Sequence, residues 1–480
     1  MGRDIERTDF SEDDFAEFQR RLAAETEMLG QWFEQGVLDE THWVGGFELE
    51  AWLTDDDWSP APLNEALLQH MDDPLLTHEL AQFNIELNTA ARPLADGVLG
   101  LMERDLGDTW RRCRAGAAEL DAQLLMIGIL PTVTQAELTS DAMTPIARYA
   151  ALNEQILRQR EGRSLSIDIC GRERLQTEHP DVMLESAATS FQIHIQVPAS
   201  RAADYYNASL LVSAPMVAIS ANSPYLFGHD LWAETRIPLF EQSVEAGGYR
   251  GASHGPPRRV GFGTGFARAS LMECFRENLD HFPPILPMHF DADEAGPMAH
   301  LQLHNGTIWR WNRPLVGTEN DQPHVRIEHR VVPGGPSVVD EIANAAVYYG
   351  LVQYYAGRPD QPPDQLLPFA QVRDNFYACA RYGLDARVHW GREQPQPVAR
   401  LLRDHLAGCA RRGLEELGLD PAEIDHYIEI VMERTRSGYS GAGWQRAWVA
   451  RNGRDMKALT AAYAARQAEG KPVHSWSVDD

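Results

Sequence analysis

The chain has 480 residues, and its 43 Lys+Arg stand against 70 Asp+Glu for a formal net charge of −27. Only two lysines occur, Lys457 and Lys471, which excludes a GxxxxGK[ST] phosphate loop, a kinase strand lysine or a Schiff-base lysine in the body of the chain. The acidic balance disfavours a sequence-independent grip on nucleic acid or on an anionic membrane, so neither partner is expected.

Ser11 is a plausible cap for a helix over 10–35, with Phe15, Phe18, Leu22 and Leu29 at helical spacing. Short strands follow, VGGFELEAWL and AQFNIELNT, separated by the Asp/Pro-rich loop Asp55 to Pro62. The pattern predicts helices over 99–126 and 143–160, and then strand alternation in DVMLESAATSFQIHIQVP. NASLLVSAPMVAISANSPYLFG begins as an apolar helix and ends in a Ser-Pro turn; Glu245 to Gly265 is a Gly/Arg-rich loop.

HLQLHNGTIWRW predicts a hairpin turning at Asn305-Gly306. His300 and His304 then lie on its first strand, where a structural role is favoured over metal ligation. The strand HVRIEHRVV leads into a helix over Val338 to Tyr354, and GRPDQPPDQLLP marks the clearest boundary in the chain. Beyond residue 366 the pattern is helical, with no strand of any length. Three parts are expected: an N-terminal helix (1–40), a catalytic sheet domain (41–360) and a C-terminal helical region (366–480) packing on or near the active site. No apolar run approaches the roughly 20 residues of a membrane helix. The five cysteines, Cys113, Cys170, Cys274, Cys379 and Cys409, contain no CxxC pair. Buried thiols in a cytoplasmic protein are expected.

Four strands put an apolar face opposite one rich in metal- and anion-binding groups, because successive strand side chains point to opposite sides. Glu48 and Glu50 oppose Phe47, Leu49 and Ala51. Gln82, Asn84, Glu86 and Asn88 oppose Phe83, Ile85 and Leu87. Ser190, Gln192, His194 and Gln196 oppose Phe191, Ile193 and Ile195, and Arg326, Glu328 and Arg330 oppose Val325, Ile327 and Val331. Carboxylates at i and i+2 repel unless a cation lies between them. Oxygen donors without cysteine suit Mg²⁺ or Mn²⁺ rather than zinc.

GFELEAWL, THELAQFNIELNT, SFQIHIQV, AISANSPYLFG with Arg236 downstream, WRWNRP, RIEHR and RDNFYACARYGLDA together resemble the carboxylate-amine ligases of the glutamate-cysteine ligase type, within the glutamine synthetase-like superfamily. The resemblance covers about residues 44–390, with a weaker helical tail. It implies an α+β fold, in which an antiparallel curved sheet carries helices on its outer face and a helical C-terminal region follows. It also implies that Glu48, Glu50, Glu79, Glu86 and Glu328 hold the metal ions that clamp ATP. Arg330 and Arg313 are then phosphate or acyl-phosphate clamps, Arg236 holds the substrate carboxylate, and Gln192 and His194 line the substrate and nucleotide site. The implied cofactors are ATP and Mg²⁺, or Mn²⁺. The implied reaction joins an acid to an amine through an acyl phosphate, with L-glutamate and L-cysteine as the first expectation and other acid and amine pairs as the alternative. WRWNRP has a longer Trp-to-Arg spacing than the family pattern, which leaves open whether Arg310 or Arg313 faces the site. YRGASHGPPRRVGFGTGF is a candidate lid. Within it, Gly251-Ala-Ser253-His-Gly255 matches G-x-S-x-G but lacks the preceding buried strand that a hydrolase nucleophile needs.

Overall fold

The computed structural model describes residues 5, 7–245, 258–290, 296–319, 321–391 and 394–479. Ser253 and the first half of the candidate lid, residues 249–257, lie outside the described residues.

Eight strands form one antiparallel sheet: β1 (Val44–Thr54), β2 (Leu76–His78), β3 (Asn84–Asn88), β4 (Arg92–Pro93), β5 (Gln123–Leu125), β6 (Phe191–Val197), β7 (Asn312–Glu319) and β8 (Gln322–His329). Their order is β7-β8-β6-β1-β3-β2, with β4 and β5 also pairing with β1. The central strand β1 therefore joins the two halves of the sheet. Its partner β6 meets it at Glu48↔Gln192 and β3 at Glu50↔Glu86, while β6 meets β8 at His194↔Glu328 and β8 meets β7 at Glu328↔Arg313. The sheet is curved and, with the helices around it, gives the expected α+β class.

Phe47, Leu49, Ile85, Phe191, Ile193 and Ile327 fill the apolar face and are buried. Each such side chain contributes about 1.5–3 kcal/mol by leaving water. Against this face pack two apolar helices, α1 (Ala202–Ser220) and α2 (Val338–Ala356). Tyr349 of α2 stacks on Phe47, and its hydroxyl donates to the His194 carbonyl at 3.1 Å. The C-terminal region is α3 (Phe369–Tyr382), α4 (Ala407–Glu416), α5 (Pro421–Ser437), α6 (Gly441–Asn452) and α7 (Met456–Ala468). The α4 backbone lies so close to α2 that a Cβ on Gly413 would come within 1.8 Å of the Gly350 carbonyl oxygen, so any larger residue would push these helices apart.

The first helix spans Glu12–Gln35, capped by Ser11 and Asp14 in a reciprocal box, and ends at Gly36 in the left-handed region. It packs on the segment where the sequence pattern misleads. Ala299–Asn305 is a helix, not the first strand of a hairpin. His300 and His304 are four residues apart, so they share one helix face, and both rings meet Phe18 edge-on. Asn305 Nδ2 donates to the Pro314 carbonyl at 2.9 Å, and the turn that follows closes the helix rather than a hairpin. The hairpin of this region is β7–β8.

Three smaller expectations are also corrected. Val182–Ala187 is a 3₁₀ turn rather than strand, preceded by a separate hairpin, Leu165–Cys170 with Arg174–His179. A two-residue strand pair, Arg387–Val388 with Gln396–Pro397, interrupts the C-terminal helices. Four cysteines are buried, but Cys170 is exposed on its hairpin. Among the described residues no helix is long and apolar enough to cross a membrane.

Candidate active site

The polar face of the sheet is a row of interacting charges. On β1, Glu50 accepts from the Ser190 amide at 2.7 Å, the Ser190 hydroxyl at 2.8 Å and Gln192 Nε2 at 2.9 Å. Opposite it on β3, Glu86 accepts from Thr77 Oγ1 and Asn88 Nδ2, both at 2.9 Å. Glu79 comes from the loop between β2 and β3, and the Leu80 amide donates to its carboxylate at 3.3 Å. Glu50, Glu79 and Glu86 can each bring one oxygen within 4.8 Å of the others.

Burial raises all three carboxyl groups. Glu50 adds to this at Glu79, and Glu48 and Glu50 bring Glu86 up to about 7. Glu185, on the 3₁₀ turn, is likewise pushed to about 7 by burial and by Glu50. Three carboxylates so placed cannot all ionise comfortably unless a cation joins them.

Glu48, His194 and Glu328 form a second set whose ligand atoms also lie within 4.8 Å of one another. His194 Nε2 is 3.3 Å from Glu48 Oε1 and 3.9 Å from Glu328 Oε1, and it is a buried atom without a hydrogen bond. Arg326 Nε donates to His194 Nδ1 at 3.3 Å. A guanidinium only donates, so in the neutral ring the proton sits on Nε2, facing the carboxylates. Glu328 takes a two-pronged contact from Arg313, at 2.6 Å from Nε and 2.9 Å from Nη2, and Arg330 Nη1 is 3.3 Å away. Burial opposes ionisation, but Arg313 and Arg330 overcome it and hold Glu328 at about 2.

The fit to hard divalent cations can be judged from these donors. The Glu50 set offers only oxygens and is short of positive charge, as Mg²⁺ or Mn²⁺ requires. The Glu48 set adds one nitrogen. For a cation to take Nε2, the ring proton must move to Nδ1 and Arg326 must release it. Both sets fit, the first more readily.

Of the two arginines left open by the sequence, Arg313 is on the site face, whereas Arg310 pairs with Glu277 and donates to Asn278 Oδ1 at 2.6 Å, away from it. Gln192 links Glu50 to Arg330, accepting from Arg330 Nη1. Arg236 starts the short helix Arg236–Ser243 and is buried; its Nη2 donates to the carbonyls of Arg330 at 3.0 Å and Val331 at 2.8 Å. The sequence reading gave no role to Arg326, Ser190 or Glu185. Arg326 and Ser190 carried a signal, since each alternates onto the same face. Glu185 carried none, because its turn resembles strand.

The family profile of glutamate-cysteine ligase family 2 matches residues 45–465. No curated protein matches the sequence. The fold is similar to that of a glutamate-cysteine ligase from Francisella tularensis in complex with AMP, with a TM-score of 0.55 and 11% identity over 92% of this chain and 91% of that one. It is also similar to a bifunctional glutathione synthetase from Pasteurella multocida, with a TM-score of 0.51 and 11% identity over 94% of this chain and 55% of that one. The matched span holds every charged group of the sheet face, from Glu48 to Arg330, and most of the C-terminal helices, and the chain belongs to glutamate-cysteine ligase family 2.

Proposed function

We propose that this protein is an ATP-dependent carboxylate-amine ligase that forms an amide through an acyl phosphate, with L-glutamate and L-cysteine as substrates and γ-glutamylcysteine as product. The observation that carries this reading is the row of two carboxylate sets and three arginines on one buried sheet face, in a chain of this family.

A carboxylate is a poor acyl donor because its leaving group would be oxide. Attack of its oxygen on the γ-phosphorus of ATP releases ADP and leaves a mixed anhydride. The amine nitrogen then attacks the acyl carbon, inorganic phosphate departs, and the nitrogen loses a proton. Glu50, Glu79 and Glu86 would hold one divalent cation, and Glu48, His194 and Glu328 a second. When bound, such cations neutralise and orient the phosphates. Arg330 and Arg313 are assigned to the negative charge that develops during transfer. Gln192 holds Arg330 against Glu50, and Ser190 fixes the Glu50 carboxylate. Arg236 is assigned to the acid substrate, and the 41–360 sheet domain to catalysis with the 366–480 helices behind it. No step needs a lysine, in keeping with their scarcity.

The test is phosphate release from ATP with glutamate and a panel of amines that includes cysteine. The expected result is release that depends on both the acid and an amine, is fastest with cysteine, and is lost in Glu50→Gln and Glu328→Gln. Release that needs no acceptor, or that survives both substitutions, overturns the reaction and the site. Release that prefers another amine overturns only the choice of cysteine.

A further inference from the structure

Arg236 is held from behind by a chain of buried polar groups that ends on the C-terminal helices. Its Nε donates to Glu234 Oε1 at 3.2 Å, and its backbone amide donates to Ser223 Oγ at 3.2 Å. Glu234 is fully buried, and its other oxygen accepts from the Asn222 amide at 2.8 Å. The backbone carrying Glu234 is fixed from a second direction. The amides of Ala233 and Glu234 donate to Arg381 and Ala380, two carbonyls in the last turn of α3 that lack partners within their own helix.

Asn222 is the junction. Its side-chain amide donates to the Gly334 carbonyl and to the Tyr463 hydroxyl of α7, each at 2.8 Å, and its Oδ1 accepts from Gln445 Nε2 of α6 at 2.9 Å. Asn222, Gln445 and Tyr463 are all fully buried. The start of α6 lies against the same side chain: a Cβ on Gly441 would come within 1.9 Å of Asn222 Oδ1. Such close approach is open only to glycine. The junction also adjoins the first donor set, since Gly334 lies against the Glu50 carbonyl.

We propose that the C-terminal helices set the acid-substrate site through this relay, with Gln445 and Tyr463 fixing Asn222, Asn222 fixing Glu234, and Glu234 orienting the Arg236 guanidinium. Glu234, Asn222, Gln445 and Tyr463 are positioning residues, because none is assigned to the substrates. A buried carboxylate with one oxygen on a backbone amide and the other on a guanidinium can hold that guanidinium in a single orientation. The relay therefore makes the helical region part of substrate selection. It rests on the ligase reading only in taking Arg236 as the anchor of the acid.

The test uses the full chain with Gln445→Leu, Tyr463→Phe, Glu234→Gln and Glu234→Ala, each checked for folding by circular dichroism. In Gln445→Leu and Tyr463→Phe the KM for the acid is expected to rise about tenfold, while the KM values for ATP and amine stay within about twofold. Glu234→Gln, which keeps one of the two acceptor oxygens, is expected to retain more acid affinity than Glu234→Ala. If the three KM values of the folded variants do not change, or rise together, the relay is overturned. Tyr463→Phe removes a single oxygen and decides the matter should Gln445→Leu fail to fold. If the wild-type chain turns over no acid and amine pair, the ligase reading fails by itself, and crystal structures of wild type and Tyr463→Phe decide the relay. A guanidinium shifted off the Arg330 and Val331 carbonyls upholds it, and an unmoved one overturns it.

Discussion

Glu86 and Glu328 are both buried glutamates on the same face of one sheet. Burial, with Glu48 and Glu50 beside it, raises Glu86 to about 7, whereas Arg313 and Arg330 overcome burial and keep Glu328 at about 2. The difference is one of company, not of depth. At the β1–β3 end the protein supplies oxygens without enough positive charge. At the β6–β8 end it supplies guanidiniums that already balance the carboxylates. A triphosphate laid along this face would meet a cation-demanding end and a cation-supplying end, so the face is polar along its length.

The largest break in this comparison is Glu50→Gln, which removes a donor from the cation-demanding end. Phosphate release is expected to fall by about three orders of magnitude, and Mn²⁺ binding followed by calorimetry is expected to fall with it, the fold remaining intact. At the other end the expected loss is in stability. Arg313→Met leaves Glu328 buried without its two-pronged partner, which should cost about 3–5 kcal/mol in urea unfolding. Adding Glu328→Gln to that variant should recover part of the loss, because the uncompensated charge goes with it.

The pH dependence of the metal-free protein sharpens the contrast. The folded-state value of Glu86, about 7, lies above its ordinary 4.5. Its contribution is therefore complete below pH 4.5 and is lost as the pH rises through 7, by up to about 3 kcal/mol. Glu86→Gln should remove that slope. Saturating Mg²⁺, at about 100 times its Kd, should stabilise the wild-type chain by about 2.7 kcal/mol. Chemical unfolding at pH 5, 7 and 8, with Mg²⁺ and with chelator, measures both. The smallest effect is expected from Ser190→Ala, which removes one hydrogen bond to Glu50: about 1 kcal/mol of stability and about a tenfold loss in Mn²⁺ affinity.

What the sequence reveals of this face follows from period. Glu48 and Glu50, His194 and Gln192, and Glu328 and Arg330 are each two residues apart, so a reader who knows the strand pleat can group them within a strand. The partnering of strands is different, since nothing local says that Glu328 lies opposite His194 and Arg313. That is set by long-range register. HLQLHN fits both the strand and the helix period. Leu301 and Leu303 alternate with polar residues as in a strand, yet His300 and His304 have helical spacing, and in so short a segment neither period prevails. Packing against the first helix decides it: Glu25 accepts the Leu301 amide at 2.8 Å and pairs with His300 at 2.6 Å. Glu185 was hidden for a similar reason, and its turn gains meaning only once Glu50 is beside it in space.

The central position of β1 has a further consequence for what evolution can alter. Glu48 belongs to one donor set and Glu50 to the other, so the distance between the sets is tied to a two-residue repeat of one strand, about 6.6–6.8 Å along the backbone. Loop changes and substitutions around the face can retune the charge at either set, but the interval between them belongs to the backbone. A one-residue insertion in β1 would turn one carboxylate toward the apolar core, so the spacing is inherited whole or lost.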